Sequence, residues 1–203
     1  MKKVVTYLGV AAIALVGGYV AKDLIVTKQP VLLIIAETGY QPLEYSLTRR
    51  EIENAGFNVT VASNGKAGTQ ATPSAGDLKT NIDVTVADVN PDGYAGIFIV
   101  GGPGALEALD NNTTIKLMER FAATGKPFGA ICISPRILAN AGLLNGKKAT
   151  GWNDDKNLTD IFTAHSVTYV QEHVVIDGNI ITADGPRAAT TFGKKIVELL
   201  KKP

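Results

Sequence analysis

Apolar residues in this chain come in short unbroken runs, separated by stretches whose apolar positions recur at helical spacing. Val31–Ala36, Gly96–Val100 and Pro127–Ile131 are almost free of polar interruption. Runs of that length read as strands covered on both faces, as in a parallel sheet. Phe57–Ala62 alternates and reads as a further strand. Between these runs, Pro42–Ala55 has Leu43, Leu47 and Ile52 as an inner helical side, with Gly56 as C-cap. Asn112–Thr124 is an amphipathic helix, Leu158–Ala164 another, and Pro186–Lys201 a closing one. Asp83–Val86 reads as a short strand, and the Gly-, Ser-, Thr- and Ala-rich stretch Ser63–Thr80 as a loop. Val167–Tyr169, His173–Ile176 and Ile180–Thr182 are strands, the last two joined at an Asp177–Gly178 turn. Strands alternating with helices predict an α/β fold, a three-layer sandwich around a mostly parallel sheet.

The amino terminus departs from this pattern. Met1–Lys2–Lys3 precedes Val4–Ala21, an uncharged run of 18 residues. As a helix it would extend about 27 Å, close to the hydrocarbon thickness of a bilayer. Residues 1–22 are therefore expected to be a membrane anchor or signal segment, 23–30 a tether and 31–203 the folded domain. With Lys2 and Lys3 retained inside, the domain is expected on the periplasmic or extracellular side. Secretion after signal cleavage is the alternative.

Charge and composition narrow the chemistry. The formal charge is +1 and both signs are interspersed, so no basic stripe suggests a nucleic-acid partner. One cysteine excludes an intrachain disulfide. Two histidines and no Cys/His cluster leave no expectation of a metal site, and no cofactor fingerprint is present.

That cysteine, Cys132, falls at the corner between the Pro127–Ile131 run and a helix that Pro135 opens. Backbone N–H groups and a helix start at such a corner favour thiolate over thiol. In a parallel sheet, sites gather beyond the carboxyl ends of strands. Three strands lead there: the first to Glu37 and Glu44, the Gly96 strand to Gly101–Gly102, and the third to Cys132. Glu44 is placed to hydrogen-bond the thiol. The N–H groups of the glycine pair and of Ile133 are placed to form an oxyanion hole.

Several stretches together resemble the ThiJ/PfpI family. They are Glu44 with Asn54–Ala62, Val100–Gly101–Gly102, Ala130–Pro135 and Val174–Thr182. The resemblance implies a flavodoxin-like, class I glutamine amidotransferase-like sandwich that forms a homodimer. It implies Cys132 as nucleophile and oxidation site, Glu44 as its partner, and Gly102 and Ile133 as oxyanion-hole backbone. Gly101 and Trp152 would line the pocket. The implied activity is glyoxalase- or deglycase-like or redox-protective, on a small reactive carbonyl or peroxide. The alternatives are a non-enzymatic oxidation sensor or interaction module, and a PfpI-type protease or amidase. The family's histidines are missing, since Ile133 follows the cysteine and Trp152 stands at the other family position. Glu107 lies one residue away from the protease acid. His165 and His173 are read as structural. Ile133 and Trp152 predict an apolar pocket mouth.

Overall fold

The computed structural model describes residues 28–202. The predicted anchor and most of the tether lie outside them. Among the described residues no helix is long and apolar enough to cross a membrane.

Val31–Ile35 forms β1, followed by the short β2 (Thr38–Tyr40) and helix α1 (Pro42–Asn54). Strand β3 (Val59–Ser63) returns to the sheet, and β4 (Gln70–Pro73), β5 (Thr80–Asn81) and β6 (Val84–Thr85) follow. Then come β7 (Gly96–Ile99), α2 (Ala105–Leu109), α3 (Asn112–Ala122), β8 (Phe128–Ile131) and α4 (Pro135–Asn140). The chain closes with β9 (Lys148–Ala149), α5 (Leu158–Ala164), β10 (Thr168–Tyr169), the hairpin β11 (Val174–Asp177) and β12 (Ile180–Ala183), and α6 (Ala189–Leu200).

Seven strands form the main sheet in the order β11-β12-β8-β7-β1-β3-β6. Every neighbouring pair is parallel except the β11–β12 hairpin. β1 lies inside the sheet between β7 and β3, and all five of its residues are fully buried. Successive side chains leave a strand on opposite faces. Val31, Leu33 and Ile35 therefore join α1 and α6 through Ile52, Phe192 and Ile196. Leu32 and Ile34 join α3, α4 and α5 through Leu117, Phe121, Ile137 and Phe162. A continuous apolar run is what such a two-sided position requires. The result is the α/β sandwich with a mostly parallel central sheet that the pattern predicts.

The differences are local. Leu43 is 55% exposed, and the inner face of α1 is Glu44, Tyr45, Thr48 and Ile52. The first turn of α1 covers strand ends carrying free polar backbone, where a carboxyl finds a partner and leucine does not. Within the predicted loop, β4 pairs with β2 and β5 in a small separate sheet. Tyr40 anchors it, buried and bonded through its hydroxyl to Thr80 Oγ1 at 2.8 Å.

Candidate active site

Each carboxyl-end element is fixed by backbone bonds before any side chain matters. Cys132 follows β8 with φ 66°, a left-handed backbone that non-glycine residues seldom adopt. Its N–H donates to the Ala183 carbonyl of β12 at 2.8 Å, and its carbonyl accepts from Trp152 N–H at 2.7 Å. Buried Ser134 donates from Oγ to the Val100 carbonyl at 2.9 Å, tying the corner to the end of β7. Surroundings that over-determine the corner hold strain of this kind in place.

Glu44 reaches this corner from α1. Gln41 caps the helix, its side-chain oxygen accepting from Leu43 N–H at 2.7 Å, while its own N–H donates to the Gly101 carbonyl at 2.9 Å. Gly101 N–H in turn donates to Glu44 Oε2 at 3.0 Å. Glu44 is fully buried, and Oε1 has no protein hydrogen-bond partner of its own. The carboxyl lies against the Cys132 thiol, and the N–H groups of Ile133 and Gly102 are directed at the sulfur. The structure thus brings together Glu44, Gly101, Gly102, Cys132 and Ile133.

Gly101 is required by space. A Cβ there would fall 2.5 Å from Cys132 Cβ, 2.8 Å from Glu44 Oε2 and 2.9 Å from the Ile131 carbonyl. Gly102 is required by both conformation and space. Its φ is 120°, and a Cβ would meet the backbone of Gly39, Tyr40 and Gln41.

The electrostatics correct one expectation. The corner does not favour thiolate outright. Burial pushes the Cys132 thiol up, and the Glu44 charge and hydrogen bond push it further. The Ile133 and Gly102 N–H groups oppose this and do not prevail. Burial also pushes Glu44 up from 4.5 to about 7, against the hydrogen bonds from Cys132 and Gly101; the Asp184 charge adds to the rise. The two groups act as one proton-sharing pair. With the proton on Glu44, its charge is gone and the acid donates to sulfur. The two backbone N–H groups then stabilise the thiolate.

A stability test follows. A carboxyl raised in the fold contributes stability below its unfolded value and loses it as pH rises through the folded value. A shift from 4.5 to about 7 corresponds to about 3 kcal/mol at about 1.36 kcal/mol per unit. Denaturant unfolding of wild type should therefore weaken between pH 5 and pH 8. Glu44→Gln should flatten that slope and match or exceed wild type at pH 8. An unchanged slope would place the buried proton elsewhere.

The remaining candidates fall outside this cluster. Glu37 turns toward Asn64 and Gly65, its own N–H donating to Asn64 Oδ1. Glu107 is exposed on α2. His165 closes α5 through its backbone. Trp152 does touch the corner through its N–H. Its ring, however, lies over Arg136 (5.5 Å to the guanidinium carbon), and its Nε1 donates to Asp154. Arg136, 5% exposed, carries no signal in the sequence pattern. It binds both oxygens of Asp155 at 2.9 and 2.7 Å and the Trp152 carbonyl at 3.1 Å. Its hydrogen bonds hold the Asp155 carboxyl well below the usual range. Only a pairing across 19 positions reveals this clamp.

The expected apolar mouth is also corrected. Trp152 lines a cleft of about 1190 Å³ together with Asp154, His173, Asp184, Arg187 and Lys195. The strand ends and α6 supply charged side chains there, because this rim faces water rather than the core. Among the described residues, no group of three or more His, Cys, Asp or Glu is arranged to hold a metal ion.

Comparison with known proteins agrees with this geometry. The sequence model of the DJ-1/PfpI family matches residues 29–199. An uncharacterised protein of Methanocaldococcus jannaschii is 38% identical over 173 residues, covering 85% of this chain and 82% of its own. A protein of Pyrococcus abyssi named a deglycase is 27% identical over 176 residues, covering 84% of this chain and 99% of its own. The crystal structure of a ThiJ/PfpI domain protein from Brachyspira murdochii superposes with a TM-score of 0.79 at 26% identity, over 86% of this chain and 97% of that one. These matches correct the expected membrane-anchored, exported placement. The Pyrococcus relative is matched almost end to end, the family match begins only at residue 29, and no described helix can cross a membrane. On the family match, the shared fold and this corner, the chain belongs to the DJ-1/PfpI family.

Proposed function

We propose that the chain converts small α-oxoaldehydes to α-hydroxy acids, with Cys132 as nucleophile and Glu44 as its proton partner. The observation that carries this reading is the left-handed cysteine corner, with a buried carboxyl on one side of the sulfur and two backbone N–H groups aimed at it. The Cys132 sulfur bonds to the aldehyde carbon, and the carbonyl oxygen takes the proton shared with Glu44. The Gly102 and Ile133 N–H groups stabilise charge on that oxygen as it forms. Moving the remaining aldehyde hydrogen to the adjacent carbonyl carbon, as a proton through an enediol, leaves an acyl thioester on Cys132. One carbon is oxidised and its neighbour reduced, so no outside oxidant enters. Water then releases the hydroxy acid and restores the thiol. The name deglycase on the Pyrococcus relative supports chemistry of this class.

Methylglyoxal incubated with the protein, without added thiol, should yield lactate by proton NMR. Unchanged methylglyoxal would sink the reading. A second reading then gains weight. Cys132 as a residue is partly exposed, and the same N–H groups suit a sulfur oxyanion, as an oxidation sensor requires. Oxygen uptake after sub-stoichiometric peroxide, seen by intact mass and confined to Cys132, would support it.

A further inference from the structure

The acyl thioester above needs a base to activate water, and Glu44 is committed to the sulfur. Neither Ile133 nor Trp152 carries a basic group. His173 lies two strands away across the sheet. Cys132 N–H is bonded to the Ala183 carbonyl, so Asp184 stands beside Cys132 at the carboxyl end of β12. Val174 pairs with Ala183 in the antiparallel hairpin, and Asp184 N–H donates to the His173 carbonyl at 3.1 Å. His173, Asp184 and Cys132 thus stand in a row across three adjacent strands, spaced about 4.8 Å per strand.

The side chains are arranged for use. His173 Nδ1 lies 2.6 Å from Asp184 Oδ2. An ionised carboxylate only accepts, so Nδ1 is the donor, and in the neutral imidazole Nε2 carries the lone pair. The imidazole side chain is 79% exposed and lines the same cleft as Trp152, Gly151 and Asp184. That cleft reaches the backbone of the cysteine corner: Trp152 N–H donates to the Cys132 carbonyl, and a Cβ on Gly151 would lie 3.1 Å from that oxygen. Asp184 is near enough to Glu44 for its charge to disfavour the Glu44 carboxylate. His165, the other histidine in the chain, closes α5 and does not line the cleft.

We propose that His173, oriented by Asp184, is the catalytic base for the hydrolytic half of the reaction. This assignment rests on the α-oxoaldehyde reading. Water enters from the cleft, its oxygen bonds to the acyl carbon and its proton passes to Nε2. The carbon–sulfur bond breaks with its electron pair on sulfur. The proton on Nε2 returns to sulfur through water, leaving free acid and thiol. His173 thus takes over the base function missing at positions 133 and 152.

The test is turnover of methylglyoxal with quenched intact-mass analysis. His173→Gln should lower turnover about 100-fold, at the modest end of general-base effects. It should also accumulate the acyl group on Cys132, which wild type should not show. Asp184→Asn should slow the same step. Imidazole added to His173→Ala should restore part of the rate. His173→Gln within threefold of wild type overturns the proposal and leaves the Cys132 reading intact. Slowing without acyl build-up, or no recovery with imidazole, gives His173 a structural role and also overturns it. No turnover by wild type removes both readings together.

Discussion

Cys132→Ser is expected to abolish α-oxoaldehyde turnover, by at least about 10³-fold, while leaving the fold unchanged. A thousandfold loss is about 4 kcal/mol of transition-state stabilisation. Serine matches cysteine in shape and retains the corner's backbone bonds to Ala183 and Trp152. The oxyanion-directed N–H groups also remain. What disappears is a nucleophile that Glu44 can deprotonate. A hydroxyl ionises far less readily than a thiol, and a carboxyl raised to about 7 is too weak a base to close that gap. Lactate formation by NMR checks the outcome. Activity within tenfold of wild type would remove the sulfur from the chemistry, and with it the catalytic reading.

Gly101→Ala is expected to disable the site without touching either reactive side chain. The added methyl cannot be accommodated, because its neighbours at 2.5, 2.8 and 2.9 Å are Cys132 Cβ, a buried carboxylate oxygen and a carbonyl of β8. Only the carboxylate oxygen ends a flexible side chain, and it is held in place by the Gly101 N–H. Either β7 and β8 separate at their carboxyl ends, or Glu44 leaves its hydrogen bond with Gly101 N–H. Overpacking of this kind costs about 2–3 kcal/mol, and a displaced Glu44 removes the proton partner as well. Denaturant unfolding and turnover should therefore fall together. Gly93→Ala is the matched control. It lies at a turn where an added methyl would have no atom within 4 Å and no left-handed backbone to adopt, so its stability should stay within about 0.5 kcal/mol of wild type. Normal stability in Gly101→Ala would mean that the α1–β7–β8 junction is looser than its distances imply.

What can be read along the chain follows from how each element is stabilised. β1, β7 and β8 are legible as apolar runs because both of their faces are covered. The Cys132 corner is legible because strand, turn and Pro135 are contiguous. The pairing of Glu44 with Cys132 comes from resemblance, and Gly101 joins them only through tertiary packing. The inner face of α1 is illegible by amphipathicity, since it covers a polar site rather than the core, and so Leu43 points outward. The small β2–β4–β5 sheet is hidden because β4 joins β2 from more than 30 positions away, Thr38 pairing with Thr72, and the Tyr40 hydroxyl bonds Thr80 from 40 positions away. The direction of the thiol's ionisation is hidden for the same reason. Local features favour thiolate, whereas burial under α1 and a charge from 88 positions away favour thiol. Arg136, Asp155 and Trp152 form their clamp only once the loop after β9 folds back over α4.

The interior place of β1 also sets how the molecule opens. Its amides are shielded from both helical layers and bonded to a strand on each side, so no local fraying reaches them. Deuterium can enter Leu32–Ile35 only when the whole domain comes apart. The rate at which it does so is a built-in gauge of global stability, independent of any substrate and of the state of the sulfur.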